Sequence, residues 1–454
     1  MNDAVELASY AALVVGCWFA VLFAAGAFQR PLAGLLVAYC LHQVINFVLA
    51  AILPLLEGGT LSVNLDTLVG FEKVAASNVA FSVGLTVGMI IVRRANTVEG
   101  QELGVERDVK WLFKLGLFST VVLVPVLARV PSLGAAVGNV ASLMVVAVGL
   151  ACYLAVAQRK ITLAVALLGL SGVLFPLVSV LQGGFIGFGT NAVIVVFSLF
   201  AMRFRPRWVM VPVAFALCYF GVSVFMTYFK GRDDIRASVW GDDAYAARLK
   251  VVQDVAEGFE WFTPGNQSHI ETVNMRMNQN VLVGAAVQRL EIGQVEFANG
   301  ETIRDALLAM VPRILWPDKP MKAGGGTIVS DFTGITFDQN TSVGVGPVLE
   351  FYLNFGQSGL LMGALLFGFF VGQCDARAGA ALTTGDGWRC ARWFLLGMPF
   401  ILPLASLAEV TMSLAATLAM IVGIERGLFR TSWYQKQVRS AADLGSRRPA
   451  LLAS

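Results

Sequence analysis

Long apolar runs, almost free of charge, recur along this chain and restrict its fold more than any other feature. A helix needs about 20 apolar residues to cross the hydrocarbon core of a bilayer. Such runs lie at about 8–28, 32–53, 74–92, 111–128, 134–157, 161–181, 188–202, 208–229 and 346–372. The stretch from Trp393 to Ile424 is too long for one helix and short for two. It contains Pro399, Pro403 and Glu409, and it reads as two short or tilted helices with a turn near Ser406 to Glu409. The total is about eleven spans. Of 454 residues, 57% are hydrophobic and 14% charged, against roughly 25% charged in a soluble domain. A single soluble core stops growing at about 250–300 residues, so the bilayer is the solvent this composition suits. The expected fold is an all-α polytopic membrane protein. Residues 1–229 carry eight transmembrane helices, 230–345 form a long extracytoplasmic loop with short helices, 346–424 carry the last three spans, and 425–454 form a basic tail.

Charge position sets the expected orientation. The start, with Asp3 and Glu6 and no basic residue, is the reverse of a signal-peptide n-region, so no cleavable signal is expected. Lys and Arg mark cytoplasmic loops. Arg30, then Arg93, Arg94, Arg107 and Lys110, then Arg159 and Lys160, then Arg203, Arg205 and Arg207 fall on every second connection. Arg377, Arg389 and Arg392 follow the ninth span, and the tail holds Arg426, Arg430 and Lys436 among others. The intervening loops are poor in both, 54–73 holding only Lys73. This alternation places the N-terminus outside and the C-terminus in the cytoplasm. A net charge of +3 gives no indication of a nucleic-acid partner. Four of the six cysteines sit in apolar runs, and His42 and His269 have no zinc spacing with Cys or carboxylates, so neither a metal nor a cofactor is expected.

Loops as long as 230–345 usually have a function. Asp242 to Phe262 reads as an amphipathic helix, with Leu249, Val252, Val255 and Phe259 at helical spacing; it should lie at the membrane surface or cover the bundle. A helix from Ile303 to Val311 should end at Pro312. Pro312, Pro317 and Pro320 then fix a rigid path that presents Arg313 and Lys319, and Lys322 precedes Gly324, Gly325 and Gly326, read as a hinge or an open anion-binding turn. The acidic pairs Asp233–Asp234 and Asp242–Asp243 read as solvated turns. His42, with Gln43 and Asn46, forms an intramembrane polar group suited to interhelical hydrogen bonds.

The segment from about Asn278 to Gly359 resembles the Wzy-like oligosaccharide repeat-unit polymerases of bacterial O-antigen and exopolysaccharide pathways. Arg289, GETIRDALLAMVPRILWPDKP at 300–320 and TSVGVGPVLEFYLNFGQSGLLMGALLFG at 341–368 carry the resemblance. It covers under a fifth of the chain. It implies a GT-C-like glycosyltransferase at the outer face of the inner membrane. Such an enzyme moves a growing glycan from undecaprenyl diphosphate to the next lipid-linked repeat unit. The partners implied are that lipid-linked glycan, membrane lipid, a flippase and a chain-length regulator. A diphosphate leaving group needs fixed cations where water is scarce, and arginine grips phosphate oxygens with a planar, permanently charged fork. Arg289 and Arg313 are the foremost candidates. Arg232, Arg276, Lys319 and Lys322 could bind the substrate, as could Glu350, and Arg236 lies near the expected headgroup level. Glu291, Asp318, Glu350 or His269 could accept the proton of an acceptor hydroxyl, and the sequence does not choose among them. An O-antigen ligase is chemically close. A transporter fits less well, because the charges concentrate in one loop rather than in the helices.

Overall fold

The computed structural model describes residues 2–56, 64–93, 101–127, 133–204, 210–241, 243–311, 316, 319, 325–337 and 343–428. No strand occurs among them. The first half contains α1 (Asn2–Ala27), α2 (Leu35–Gln43) leading through a π-helical turn at Val44–Val48 into α3 (Leu49–Leu56), α4 (Leu65–Ile91), α5 (Gln101–Phe118) leading through a second π turn into α6 (Val124–Leu127), α7 (Leu133–Ala157), α8 (Ile161–Gly183), α9 (Gly187–Ala201) and α10 (Met210–Lys230). Six short helices follow: α11 (Arg232–Trp240), α12 (Tyr245–Glu257), α13 (Gln267–Met277), α14 (Asn280–Glu291), α15 (Glu301–Ala309) and α16 (Gly325–Thr333). The chain then forms α17 (Pro347–Thr383), α18 (Gly387–Gly397) and α19 (Leu407–Gly423). Eight helical stretches among the described residues are long and apolar enough to cross a membrane: α1, α2–α3, α4, α7, α8, α10, α17 and α19. The protein is an all-helical membrane protein.

The centre of the bundle is the pair α4 and α17, and glycine brings them together. A Cβ at Gly84 or Gly88 would overlap the carbonyl oxygens of Leu365 and Phe369, and one at Gly368 or Gly372 would overlap those of Phe81 and Leu85. Each helix therefore offers a small-xxx-small face to the backbone of the other, the way apolar helices associate without a hydrophobic driving force between them. The paired numbers rise together, so α4 and α17 run parallel. The start of α4 meets α14 in the same manner, Gly70 against Asn280 and Gly284 against Asp66.

This last contact changes the reading of the long loop. The turn between α13 and α14 re-enters the bundle. Gln279 donates its backbone N–H to Asn46 O (3.1 Å), and Asn280 donates its Nδ2 to Phe47 O (2.8 Å). Both acceptors lie in the π turn, whose wider pitch departs from the usual i to i+4 pairing. Asn278 donates to Thr67 Oγ1 (3.0 Å), and Gln288 donates to Asp66 (2.5 Å). The polar residues of this segment bond helix backbones and the first turns of α4.

Several elements differ from expectation. α4 begins at Leu65 rather than 74, so Glu72 and Lys73 are helical. Asn64 caps its start by accepting from Asp66 N–H (2.9 Å), and Lys73 reaches Glu72 (3.2 Å) and Glu291 (3.9 Å). α17 continues past 372 to Thr383, with a break at Phe355 and Gly356. Its buried Asp375 does not end it, because the carboxylate accepts from the backbone N–H groups of Ala33 (2.6 Å), Gly34 (2.8 Å) and Leu36 (3.0 Å) at the start of α2. Gly325 and Gly326 form the first turn of α16 rather than an open hinge. The expected break before the last helix is present, and Ser406 and Glu409 form a capping box there.

Candidate functional site

The face of α8 bearing Val165, Gly169, Gly172 and Pro176 looks across open space at α10, which presents Val213, Leu217 and Phe220. α8 packs instead on α9 and α7, and α10 is held chiefly by α11 and α12 and by apolar contact with α3. The gap is a cavity of about 1620 Å³, above the 300–1,000 Å³ or so usual for a compact small-molecule site. A Cβ at Gly169, Gly172 or Gly221 meets nothing within 4 Å. The walls are aliphatic and aromatic for most of their length. Polar groups enter at His42, Asn46, Thr190, Asn191, Asn278 and Glu409, among others.

At the end where the chain leaves α10, three arginines line the cavity: Arg232 and Arg236 on α11, and Arg276 on α13. Arg232 and Arg276 share the ring of Phe229, with guanidinium carbons 4.8 and 4.9 Å from its centroid. Arg236 lies over Phe185 (4.6 Å) and Trp240 (5.4 Å). These are cation–π distances, and they fix the three side chains on an aromatic floor. Burial, then the charges of Arg232 and Arg236, push the Arg276 guanidinium below its ordinary pKa, with Asp233 opposing. Asp233 is 3.0 Å from Arg232, but its side chain is 86% exposed, so solvent weakens its compensation. Arg236 Nε is buried without a hydrogen-bond partner. Cations held this close, with an unused donor, form an electrostatic setting that an anion completes.

α13 is oriented by the group beside this site. Lys230, at the end of α10, pairs with Glu260, which also accepts from His269 Nε2 (3.3 Å). His269 Nδ1 accepts the backbone N–H of Thr263 (3.1 Å). That bond fixes the proton on Nε2 and leaves no free lone pair on the neutral ring.

The other candidates lie elsewhere. Arg289 is on α14 with its guanidinium against Gly334, and its Nε has no partner. Glu291, exposed, accepts from Tyr352 Oη (2.9 Å) beside Lys73. Neither lines the cavity. Lys319 is buried, donating to Val311 O (2.9 Å), Leu308 O (3.3 Å) and Ala309 O (3.4 Å) at the end of α15. Glu350 is 1% exposed and accepts Leu407 N–H (2.7 Å) at the start of α19. Arg313, Asp318 and Lys322 lie outside the described residues, as does Asp242. Asp243 accepts from Ser238 Oγ (2.7 Å). Among the described residues, no three His, Cys, Asp or Glu side chains are grouped to hold a metal ion.

Fold and site together define a helical membrane protein with an apolar cavity that ends in arginines. The chain belongs to the family DUF8712, a domain of unknown function, whose model matches residues 72–383. That match contains the arginine triad and both long walls of the cavity. No curated protein and no solved structure matches the chain.

Proposed function

We propose that this protein is a Wzy-like polymerase that joins undecaprenyl-diphosphate-linked repeat units into a surface polysaccharide or exopolysaccharide. In this reading the chain crosses the bacterial inner membrane eleven times, α5–α6, α9 and α18 supplying the shorter crossings. The N-terminus and α11–α16 face outward and the tail faces the cytoplasm. The observation that carries the reading is the apolar cavity of about 1620 Å³ ending at Arg232, Arg236 and Arg276. A long isoprenoid chain suits its walls, and a diphosphate suits its cationic end.

In the reaction, an acceptor hydroxyl oxygen attacks the anomeric carbon of the growing glycan. The bond from that carbon to the diphosphate oxygen breaks, and undecaprenyl diphosphate leaves with the electron pair. The hydroxyl proton passes to a carboxylate. Glu291 is the most accessible carboxylate of the described candidates, since Glu350 is buried on the α19 amides. Arg232, Arg236 and Arg276 stabilise the charge that develops on the leaving diphosphate, and Arg289 and Arg313 hold the diphosphate of the acceptor lipid. The test is the lipid-linked product of a deletion strain. Accumulated single repeat units support a polymerase. Accumulated finished polymer identifies a ligase instead, and an unchanged profile removes the glycosyltransferase reading.

A further inference from the structure

The opposite end of the bundle has a second cationic site. α4 and α17 run parallel, and the arginine triad stands by the start of α4 through the Asn278–Thr67 bond. Arg377, near the end of α17, is therefore at the far end. Its guanidinium carbon lies 4.6 Å from the ring centroid of Trp393, and that of Arg392 lies 5.5 Å from the same ring. Glu425 pairs with Arg392 (2.6 Å) and also accepts from Trp388 Nε1 (3.2 Å). Arg377 has no carboxylate partner among the described residues. The indole N–H of Trp393 and Nε of Arg392 are buried with no hydrogen-bond partner, a costly state for polar groups away from water.

An apolar ramp leads to these cations. Met362, Leu366 and Phe370 follow one another at four-residue spacing on α17, 67%, 50% and 48% exposed, with Arg377 two turns further along the same face. We propose that Arg377, Arg392 and Trp393 bind the phosphate of an anionic glycerophospholipid, whose acyl chains lie along Met362, Leu366 and Phe370. The phosphate supplies the missing counter-charge for Arg377 and an acceptor for the unpaired donors. A basic group between transmembrane helices, with Trp at headgroup level, suits such a lipid. In the orientation proposed above, this is the cytoplasmic leaflet. The site does not depend on the polymerase reading.

The experiment is native mass spectrometry of the full-length protein, titrated with phosphatidylglycerol or phosphatidylcholine. Phosphatidylglycerol adducts should predominate. Arg377→Gln should reduce that preference about fivefold, and Trp393→Phe should also reduce it. Arg159→Gln, an exposed cation at the end of α7, should leave it unchanged. Millimolar inorganic phosphate should not compete, because the acyl chains contribute. Equal adducts with the two lipids, or a full preference in Arg377→Gln, overturns the proposal. Displacement by inorganic phosphate overturns the lipid and leaves a plain anion site. If Arg377→Gln is poorly folded, Arg377→Lys supplies the reading, since it keeps the charge and should retain most of the preference.

Discussion

Arg276→Gln separates a binding role for the arginine triad from a packing role. The side chain is only partly covered at the end of α13, stacked on a ring it shares with Arg232 and repelled by Arg232 and Arg236. Its removal costs a cation–π contact worth about 0.5–1 kcal/mol at an exposed site and relieves like-charge repulsion. The two effects oppose, so the ligand-free protein should keep its stability to within about 0.5 kcal/mol. A bound diphosphate, in contrast, loses a charge-assisted hydrogen bond worth about 1.5–3 kcal/mol. Its affinity should fall roughly 10- to 150-fold. The assay is binding of undecaprenyl diphosphate to protein in nanodiscs, with thermal unfolding of the empty protein alongside. Affinity should also weaken as salt rises, because exposed charges are screened over about 10 Å at 0.1 M. A variant that unfolds several degrees early yet binds the lipid normally would refute the reasoning and make Arg276 a packing residue.

Three further outcomes follow from particular contacts. Gly334→Ala should cut polymer formation in membranes at least about tenfold, since a Cβ there overlaps Arg289 Nη1 and Gly334 has φ of 73°; combined with Arg289→Ala it should add only the cost of that backbone strain, because the clash itself is one shared contact. Lys250→Ala, at an exposed cation on α12, is the matched silent control; neighbouring Arg248 does not serve, because it donates to Leu181 O (3.3 Å) and Asp243 O (2.8 Å). The Lys230 hydrogen bond, then that of His269, holds the Glu260 carboxyl below its usual pKa. Its contribution is therefore complete above the unfolded value of about 4.3 and disappears as pH falls through the lower folded value; thermal unfolding of Glu260→Gln should show a flatter acid limb than wild type. A single cysteine replacing Ser268, exposed at the start of α13, should react with a membrane-impermeant maleimide in spheroplasts once the six native cysteines are replaced. Labelling only by a permeant reagent would invert the proposed orientation.

The membrane-spanning helices were legible because lipid imposes one rule that local composition reports directly: a long run without charge. The same rule misplaced the start of α4. Glu72 and Lys73 are paired within the fold, and hydropathy has no term for such a partner. Residues 280–291 are less polar than the rest of the long loop, but their docking on α4 has no local mark in the sequence. That docking depends on Gly70 and Gly284, more than 200 residues apart, meeting each other's helix backbones. The arginine triad had the same obstacle. In sequence Arg232 and Arg236 stand just after α10, and Arg276 stands just before the segment that carries the resemblance. Their convergence on Phe229 and Phe185 needs α13 to fold back beside α11. Lys319 and Glu350 show the converse. Their residue types suit catalysis, and the structure uses them to satisfy helix ends. A signal existed for Glu350, which lies in the first turn of α17, but its partner at Leu407 is a backbone amide and leaves no mark in sequence.

The occupant of the cavity between α8 and α10 decides what the protein does. A photoreactive benzoylphenylalanine at Gly172 projects into that space, since a Cβ there meets nothing within 4 Å. The same residue in place of Phe19, 52% exposed on α1, provides a comparison site away from the cavity. After irradiation of native membranes, the protein cross-linked at 172 should carry an undecaprenyl-diphosphate-linked glycan, and the protein cross-linked at 19 should carry only bulk phospholipid. Replacing Arg232, Arg236 and Arg276 together by Gln should abolish the glycolipid adduct at 172. The same phospholipid at both positions, with no polyprenyl adduct at 172, would contradict the account.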